Sequence, residues 1–421
     1  MRIRHSCIRE REVLIDVYET INLVFEAGRR ILSGAIWVAI STAAFGQLPP
    51  ARPTVVGNLE LVASISGDQP AGIAISKSGR IFISFPRHDG DVQFTLAALR
   101  NNRPVAYPTA ELNRADVRRP ADTLFSVQTF QVDESDHLWM LDTGTLQFGK
   151  PPVPGAPKLL EVDLASDKIV RTVQLPAEAL VANSALKDFR LDFNRGRDGV
   201  AFITDSAPNS EAFIVLDLAS RRTVRRLVGS PTVSAHPGRT AIVGYEPLLV
   251  SGDGNHQEGP TPWLVGLNAL ELSADNETVC FSAFTGRRLY AVNADLLADF
   301  ATDNGKVSAS VRNLGDIGMA GHFVLDAKEQ LYFMDMDQNA IYRRESGGRI
   351  ALVVVDPRLI WPDTMAIGPD QYLYVTTSQH DRRAEFHDGT ELRQQPYGVY
   401  RVFIGSDPRR ALRPKTRAGK E

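Results

Sequence analysis

Hydrophobic and polar positions along this chain fall into short runs, and the runs come in pairs. In LIWPDTMAIGPDQYLYVTTSQ, Pro362 and Asp363 open an apolar run from Thr364 to Ile367, Gly368-Pro369-Asp370 turn the chain, and a second run climbs from Tyr372 to Thr376. Apolar runs of about four to six residues broken by Gly, Pro and Asp are what a half-buried antiparallel hairpin requires. The same pair recurs as PAGIAISKSGRIFISFP from Pro70, VQTFQVDESDHLWMLDTG from Val127, LKDFRLDFNRGRDGVAFITDSA from Leu186, LNALELSADNETVCFSAFTG from Leu267 and AGHFVLDAKEQLYFMDMD from Ala320. Each hairpin is followed by at least one more strand, as in LLEVDLASDKIVRTVQL and AFIVLDLASRRTVRRLV. From Gly57 onward a helical period is found only near Ala177 to Leu186 and Ala294 to Phe300.

A four-stranded antiparallel unit repeated six times at intervals of about 40 to 80 residues predicts an all-β fold, a six-bladed β-propeller. The first strand of each blade then lines a central channel. LELVASIS near the start and PYGVYRVFI near the end are expected to share the last blade, which closes the ring and removes its open edges. Two packed β-sandwiches would leave the recurrence of the hairpin unexplained. The expected organisation is an N-terminal extension and secretory signal segment at 1–46, the propeller at 47–404 and a basic disordered tail at 405–421.

The first stretch differs from the rest in kind. Arg29 and Arg30 precede ILSGAIWVAISTAAFG, an apolar segment ending in small residues, which is the pattern of a secretory signal and is too short for a comfortable membrane span. Cleavage after Ala44-Phe45-Gly46 would leave a chain starting near Gln47, and the long charged lead before Arg29 suggests that translation starts near Val24. Of the two cysteines, Cys7 falls in the part to be removed, and Cys280 sits in the apolar run TVCFSAF as a small buried hydrophobe. The expected compartment is secreted or periplasmic.

A net charge of −3, with 43% hydrophobic and 23% charged residues, fits a globular protein and leaves no footprint for nucleic acid or an anionic membrane. The pairs Arg221-Arg222 and Arg225-Arg226 read as solvated strand edges. No nucleophile elbow, zinc-protease helix, Cys-x-x-Cys or phosphate-binding glycine loop is present, so no catalytic residue is assigned. Candidate chemistry comes instead from the repeat. Counting five residues back from the end of each inner strand gives Ala71, Gln128, Lys187, Asn268, Gly321 and Asp363, and the next position adds Gly72, Thr129, Asp188, Ala269, His322 and Thr364. A ring of strand starts facing one axis can gather polar groups into one pocket. The candidate ligand-binding residues are Gln128, Lys187, Asp188, Asn268, His322, Asp363 and Thr364.

Other positions read as architecture. Asp142, Asp205 and Asp335 each end a second strand, and Trp139 and Trp361 read as packing anchors. The segment from Pro231 to Leu264, with His236, Tyr245, His256 and Trp263, is long enough to cover one channel mouth.

FQVDESDHLWMLDTG, FRLDFNRGRDGVAFITDSA, ELSADNETVCFSAFTGRRLY, LYFMDMDQNAIYR and DPRLIWPDTMAIGPDQYLYVTTSQ, with EFHDGTELRQQPYGVYRV after it, resemble the major royal jelly protein and Yellow family from about Leu59 to Val402. The Trp-Pro-Asp segment and the Pro-Tyr-x-x-Tyr-Arg tail carry the resemblance most specifically. It implies a secreted six-bladed propeller; some relatives carry a dopachrome tautomerase label, and some insect members bind small amines in the channel. Against the family pattern Lys187 stands for Asn, Asn268 for Asp and Gly321 for Asp, while Asp363 is kept. Lys187 then points to a carboxylate or carbonyl ligand in place of an amine. Related lactonase propellers hold a divalent metal at this rim. Ala71 in place of an acid, and an ammonium at Lys187 where a hard cation needs oxygen, argue against one here. The expectation is a channel that binds a small polar or aromatic molecule, with no metal or cofactor, no nucleic-acid partner and no membrane attachment after signal removal. Two alternatives stand beside it: an isomerase or lactonase using Asp363 or Asp188 as base with Lys187 polarising a carbonyl, and a protein-interaction scaffold.

Overall fold

Because each apolar run pairs with its neighbour across a Gly- or Asp-containing turn, the chain folds blade by blade. The computed structural model describes residues 56–412 except 237, 245 and 252–258. The expected signal segment, Tyr245, His256 and the end of the expected tail lie outside the described residues.

Six four-stranded antiparallel sheets follow one another along the chain. Their inner strands are Ile73–Ile75, Val127–Val132, Leu186–Asp192, Leu267–Leu272, Phe323–Leu325 and Pro362–Ile367, for blades 1 to 6 in that order. Each inner strand contacts the next around the ring, and blade 6 returns to blade 1. The fold is a six-bladed β-propeller. Closure is as the sequence predicts: Glu60–Ile65 pairs antiparallel with Tyr397–Phe403, which pairs with Tyr372–Thr377 of the last hairpin.

Burial explains the sequence pattern. Second strands are covered by the neighbouring blades on both faces, and all six residues of Val200–Asp205 are buried. The outer strand Lys168–Gln174 exposes most of its length. Between blades 2 and 3, Trp139, Leu141, Phe189, Ile203 and Leu216 pack in one apolar cluster, each worth roughly 1.5–3 kcal/mol of burial.

The acids that end the second strands hold the blade tops. Asp142 accepts from the amides of Phe125 (3.0 Å) and Ser126 (2.9 Å), just ahead of the inner strand of blade 2. Asp205 does the same for Ala185 (2.7 Å) in blade 3. Asp335 accepts from the Asp337 amide (3.1 Å) and the Gln338 side chain (3.0 Å). Asp142 is also paired with the fully buried Lys158 (2.8 Å), whose ammonium donates to the carbonyls of Pro120, Thr123 and Ala156 as well.

Four expectations need adjustment. The first concerns the tail: residues 405–412 are placed against the propeller instead of forming the start of a disordered tail. Ala327 donates its amide to Asp407 O (2.9 Å), Arg409 to Leu325 O (3.2 Å), and Glu134 to Ala411 O (3.1 Å). The Arg410 guanidinium donates to Ile75 O (3.2 Å) and Val132 O (3.4 Å). Inner strands of a propeller end with unpaired carbonyls, and this arginine satisfies two of them. The second concerns the Arg225-Arg226 pair, which is not a solvated edge. Arg225 pairs with Asp205 (2.7 Å), and the buried Arg226 donates to Leu297 O (3.4 Å) and Thr302 O (2.8 Å) of the next blade. The third concerns helix: the stretch near Ala177 forms only the 3-10 turn Ala177–Ala179, and besides the α-helix Ala294–Ala298 a second short α-helix forms at Asn304–Ala309, started by the Asp303 side chain on the Gly305 amide. The fourth concerns Cys280, which is half-buried, not fully buried as the apolar run suggested. No helix among the described residues is long and apolar enough to cross a membrane.

Candidate functional site

The inner strands are regular except where they begin. Register shifts fall between Val127 and Thr129, Leu186 and Phe189, Leu267 and Ala269, and Pro362 and Met365. In a regular strand adjacent side chains point to opposite faces, but a bulge sets two residues against one and turns the pair together. This is how Lys187 and Asp188, or Asp363 and Thr364, come to line one space.

All seven candidate residues, Gln128, Lys187, Asp188, Asn268, His322, Asp363 and Thr364, line a single cavity of about 40 Å³. Thr129, Phe284, Gly321, Met336 and Trp361 complete its wall. Gly321 is required by close approach, since a Cβ there would lie 2.8 Å from the Phe284 ring and 3.0 Å from the Met336 methyl. Some of the seven are partly committed. The Thr364 hydroxyl donates to Ala71 O (2.8 Å), tying blade 6 to blade 1. Asn268 donates to Gly321 O (3.0 Å), leaving its own carbonyl oxygen for the cavity.

The charged members are unevenly balanced by local bonding: Asp188 is paired with Arg190, whereas Lys187 has no bonded counter-charge among the described residues. Asp188 Oδ1 accepts from the Phe189 amide (2.9 Å) and Arg190 (2.8 Å), while Oδ2 is buried and without a hydrogen-bond partner among the described residues. Burial raises its carboxyl above the ordinary value even against the pull of Arg190. Asp363 is pushed up to about 6 by burial, with Ser378 and Lys187 pulling it back. Lys187 is brought down to about 8 by burial, against the charges of Asp363 and Asp205, and its ammonium lies 4.2 Å from the Phe148 ring centroid. Among the described residues it makes no hydrogen bond or close ion pair. His322 is held neutral, at about 3, by burial and then by Arg190.

Above this floor a second cavity, of about 260 Å³, opens toward the strand-start side, and Gln128 and Lys187 line both. Phe148, Trp263 and His88 give it aromatic walls, and Ser126, Asn183 and Ser184 add polar groups. His88 is buried and neutral, at about 3, chiefly through burial, and its Nδ1 lacks a hydrogen-bond partner among the described residues. The long insertion contributes Trp263, which packs on Phe284, Trp361, His380 and Phe386. His236 of the same insertion is exposed. Below the floor, Arg190 crosses the channel, donating to Glu271 (2.9 Å), Phe323 O (2.6 Å) and Asp188. The residues 408–411 then line the lower cavity, of about 80 Å³.

Several contributors escaped the sequence reading. Arg190 and Glu271 lie two or three residues beyond counted positions, and the alternation of a strand could have flagged both. Trp361 is more than an anchor: it lines the cavity and holds φ 50, an unusual conformation for a bulky residue. Phe148 and His88 come from loops and carry no periodic signal.

Asp133, His137 and Glu161 lie close enough to hold a cation, but outside the channel cavities. Asp133 is already engaged by the amides of Ser135 (2.9 Å) and His137 (3.0 Å) and by the Trp139 indole (3.1 Å). In the channel, the only carboxylates at the floor share it with the Lys187 ammonium, a poor setting for a hard cation.

Residues 125–394 match the family model described as major royal jelly protein. Among curated proteins, the chain is similar to protein yellow of Drosophila subobscura, 27% identical over 135 residues that make up 30% of this chain and 23% of that protein. It is similar to L-dopachrome tautomerase yellow-f of Drosophila melanogaster, 26% identical over 138 residues, 30% of this chain and 32% of that protein. The similarity therefore spans less than two thirds of either relative. Among solved structures, a luciferin-regenerating enzyme shares 13% identity and a TM-score of 0.49, covering 86% of this chain and 100% of its own. Regucalcin from Agrobacterium tumefaciens shares 13% identity and a TM-score of 0.47, covering 83% and 96%.

Proposed function

The chain belongs to the major royal jelly protein family, and from that premise we propose that it is an exported propeller that holds a small aromatic or polar molecule bearing a carboxylate or carbonyl in the upper half of its channel. One observation carries this reading: polar groups from blades 2 to 6 converge beneath an aromatic-walled cavity, and the lysine among them has no bonded counter-charge. An unmatched ammonium in a half-enclosed space gains most from an oxygen ligand that replaces lost water. Phe148 and Trp263 would take the apolar part of the ligand, and Gln128 and Asn268 its polar edge. The opposite mouth is narrowed by Arg190 and the 408–411 segment, so entry is from the strand-start side.

The test is a thermal-shift screen of the purified protein with aromatic carboxylates, carbonyl compounds and amines, repeated on Lys187→Ala and Asp363→Asn. A ligand at a hundred times its Kd stabilises by about 2.7 kcal/mol. Compounds that raise the wild-type midpoint should lose most of the effect in Lys187→Ala. Equal shifts in all three proteins would remove the channel site and favour the scaffold reading. Export rests on the apolar segment 31–46, and N-terminal sequencing of exported protein should begin near Gln47.

A second reading, an isomerase, is favoured by a specific feature. Asp363 is raised to about 6 and Lys187 lowered to about 8, so two groups in one cavity are moved toward neutrality from opposite sides. Such pairs suit proton transfer beside a polarised carbonyl. Turnover of dopachrome abolished by Asp363→Asn would support it; unchanged turnover in that variant would exclude the role.

A further inference from the structure

Lys187 is placed as a nucleophile as well as a charge. Its amine lines both the floor and the upper cavity, lies against the Phe148 ring, and has no hydrogen-bond or close ion-pair partner among the described residues. The fully buried Lys158 contrasts with it: that nitrogen is held as an ammonium by Asp142 and three carbonyls and so carries no lone pair to attack with. A half-buried lysine with no bonded partner beside an open cavity is in the state that condenses with carbonyl carbon.

We propose that Lys187 forms a reversible imine with a small aromatic aldehyde or ketone bound in the upper cavity. The inference deepens the carbonyl half of the binding reading and rests on it. The amine nitrogen attacks the carbonyl carbon, a C–N bond forms, and the π electrons pass to oxygen. Asp363, in the same cavity, takes the proton released from nitrogen and returns it to the alkoxide, giving the neutral carbinolamine; a second proton, drawn from solvent through the Asp363 carboxyl, goes to the hydroxyl, which leaves as water to give the iminium. No oxidant or reductant enters, and hydrolysis reverses each step. The aromatic ring would lie between Phe148 and Trp263.

The electrostatics support the geometry. Burial and Arg383 lower the ammonium, Asp363 and Asp205 raise it, and the net position is about 8. His88, also in this cavity, is neutral and adds no charge. At pH 7.4 an ordinary lysine is neutral about once in a thousand molecules, and a lysine brought down to about 8 is neutral far more often. The lower basicity gives back part of that gain in nucleophilicity, which leaves a rate advantage of roughly tenfold or more over surface lysines.

The experiment traps the imine. Protein is incubated with benzaldehyde and sodium cyanoborohydride from pH 6 to pH 9, and adducts are located by peptide mass mapping. The expected result is a first N-benzyl adduct at Lys187, at least tenfold ahead of other lysines, with a rate rising through about pH 8. Benzoate, which cannot form an imine, is titrated by thermal shift in parallel on wild type and on Lys187→Arg, which keeps the charge. Protection by benzoate together with loss of the fast adduct in Lys187→Arg, at an unchanged unfolding midpoint, supports the inference. Benzoate binding without preferential labelling of Lys187 overturns the imine and leaves the binding site standing. Neither binding nor preferential labelling overturns both.

Discussion

Replacing Asp363 by Asn should stabilise the protein at neutral pH. In the folded state burial lifts this carboxyl from its ordinary 3.8 to about 6. Above both values the ionised form then carries a penalty of about 3 kcal/mol. The sign follows from proton counts: between pH 4 and 6 the folded chain binds more protons than the unfolded one, so stability falls as pH rises through that window. Above it the penalty is complete; below pH 4 it is absent. Asn cannot ionise and escapes it. Two effects reduce the gain. The carboxylate is not fully buried, and its removal leaves the Lys187 ammonium without the opposite charge that now supports it. The expected net gain is about 1–2 kcal/mol at pH 7.5 and near zero at pH 4. Urea unfolding of both proteins at the two pH values measures it, and adding Lys187→Met isolates the coupling. A variant less stable than wild type at pH 7.5, or a difference that does not change with pH, would refute the reasoning. A stabilising substitution at a cavity acid would also mark Asp363 as a position held for activity at the expense of stability.

Three other outcomes follow from the same geometry. Lys158→Ala leaves the buried Asp142 carboxylate without its counter-charge and three carbonyls without their donor, and should cost about 3–5 kcal/mol in urea unfolding. Arg410→Ala removes the donors that join Ile75 O and Val132 O across the lower mouth, with an expected loss of about 1–3 kcal/mol by the same assay; no loss would show that the segment only rests there. Cys280 is half-buried, and its thiol is pushed up to about 11 by burial, so it should react with a disulfide reagent at pH 8 much more slowly in the native protein than in the unfolded chain, and equal rates in the two states would contradict its placement.

Much of the site was legible before the fold because the repeat is its own alignment. Once the hairpins are set in register, Gln128, Lys187, Asn268 and Asp363 fall at one level, and the structure places them around one cavity. The acids at Asp142 and Asp205 were legible as architecture for the same reason: they recur at the same point of each unit, and both bond the loop that feeds the inner strand. The residues that escaped are those without a period. Phe148 and His88 arrive from connections of unequal length, and nothing local says which connections meet; Trp263 was legible only as part of an insertion long enough to reach a channel mouth. The arginines misled for a related reason. Arg226 and Arg410 read as solvent-facing charge, yet each ends on carbonyls of another blade that only the closed ring brings within reach.

The sequence by itself therefore determined the strands, their pairing into six blades and the level at which the ring gathers polar groups, because alternation and turn chemistry act over a few residues. Tertiary structure alone decided three things. The bulges turn Lys187 and Asp188 to the same space, Phe148 and His88 join Trp263 of the insertion in one aromatic wall, and Arg190 with the 408–411 segment narrows the channel below. Each depends on contacts between segments far apart in the chain, and those energies exist only after the ring has closed.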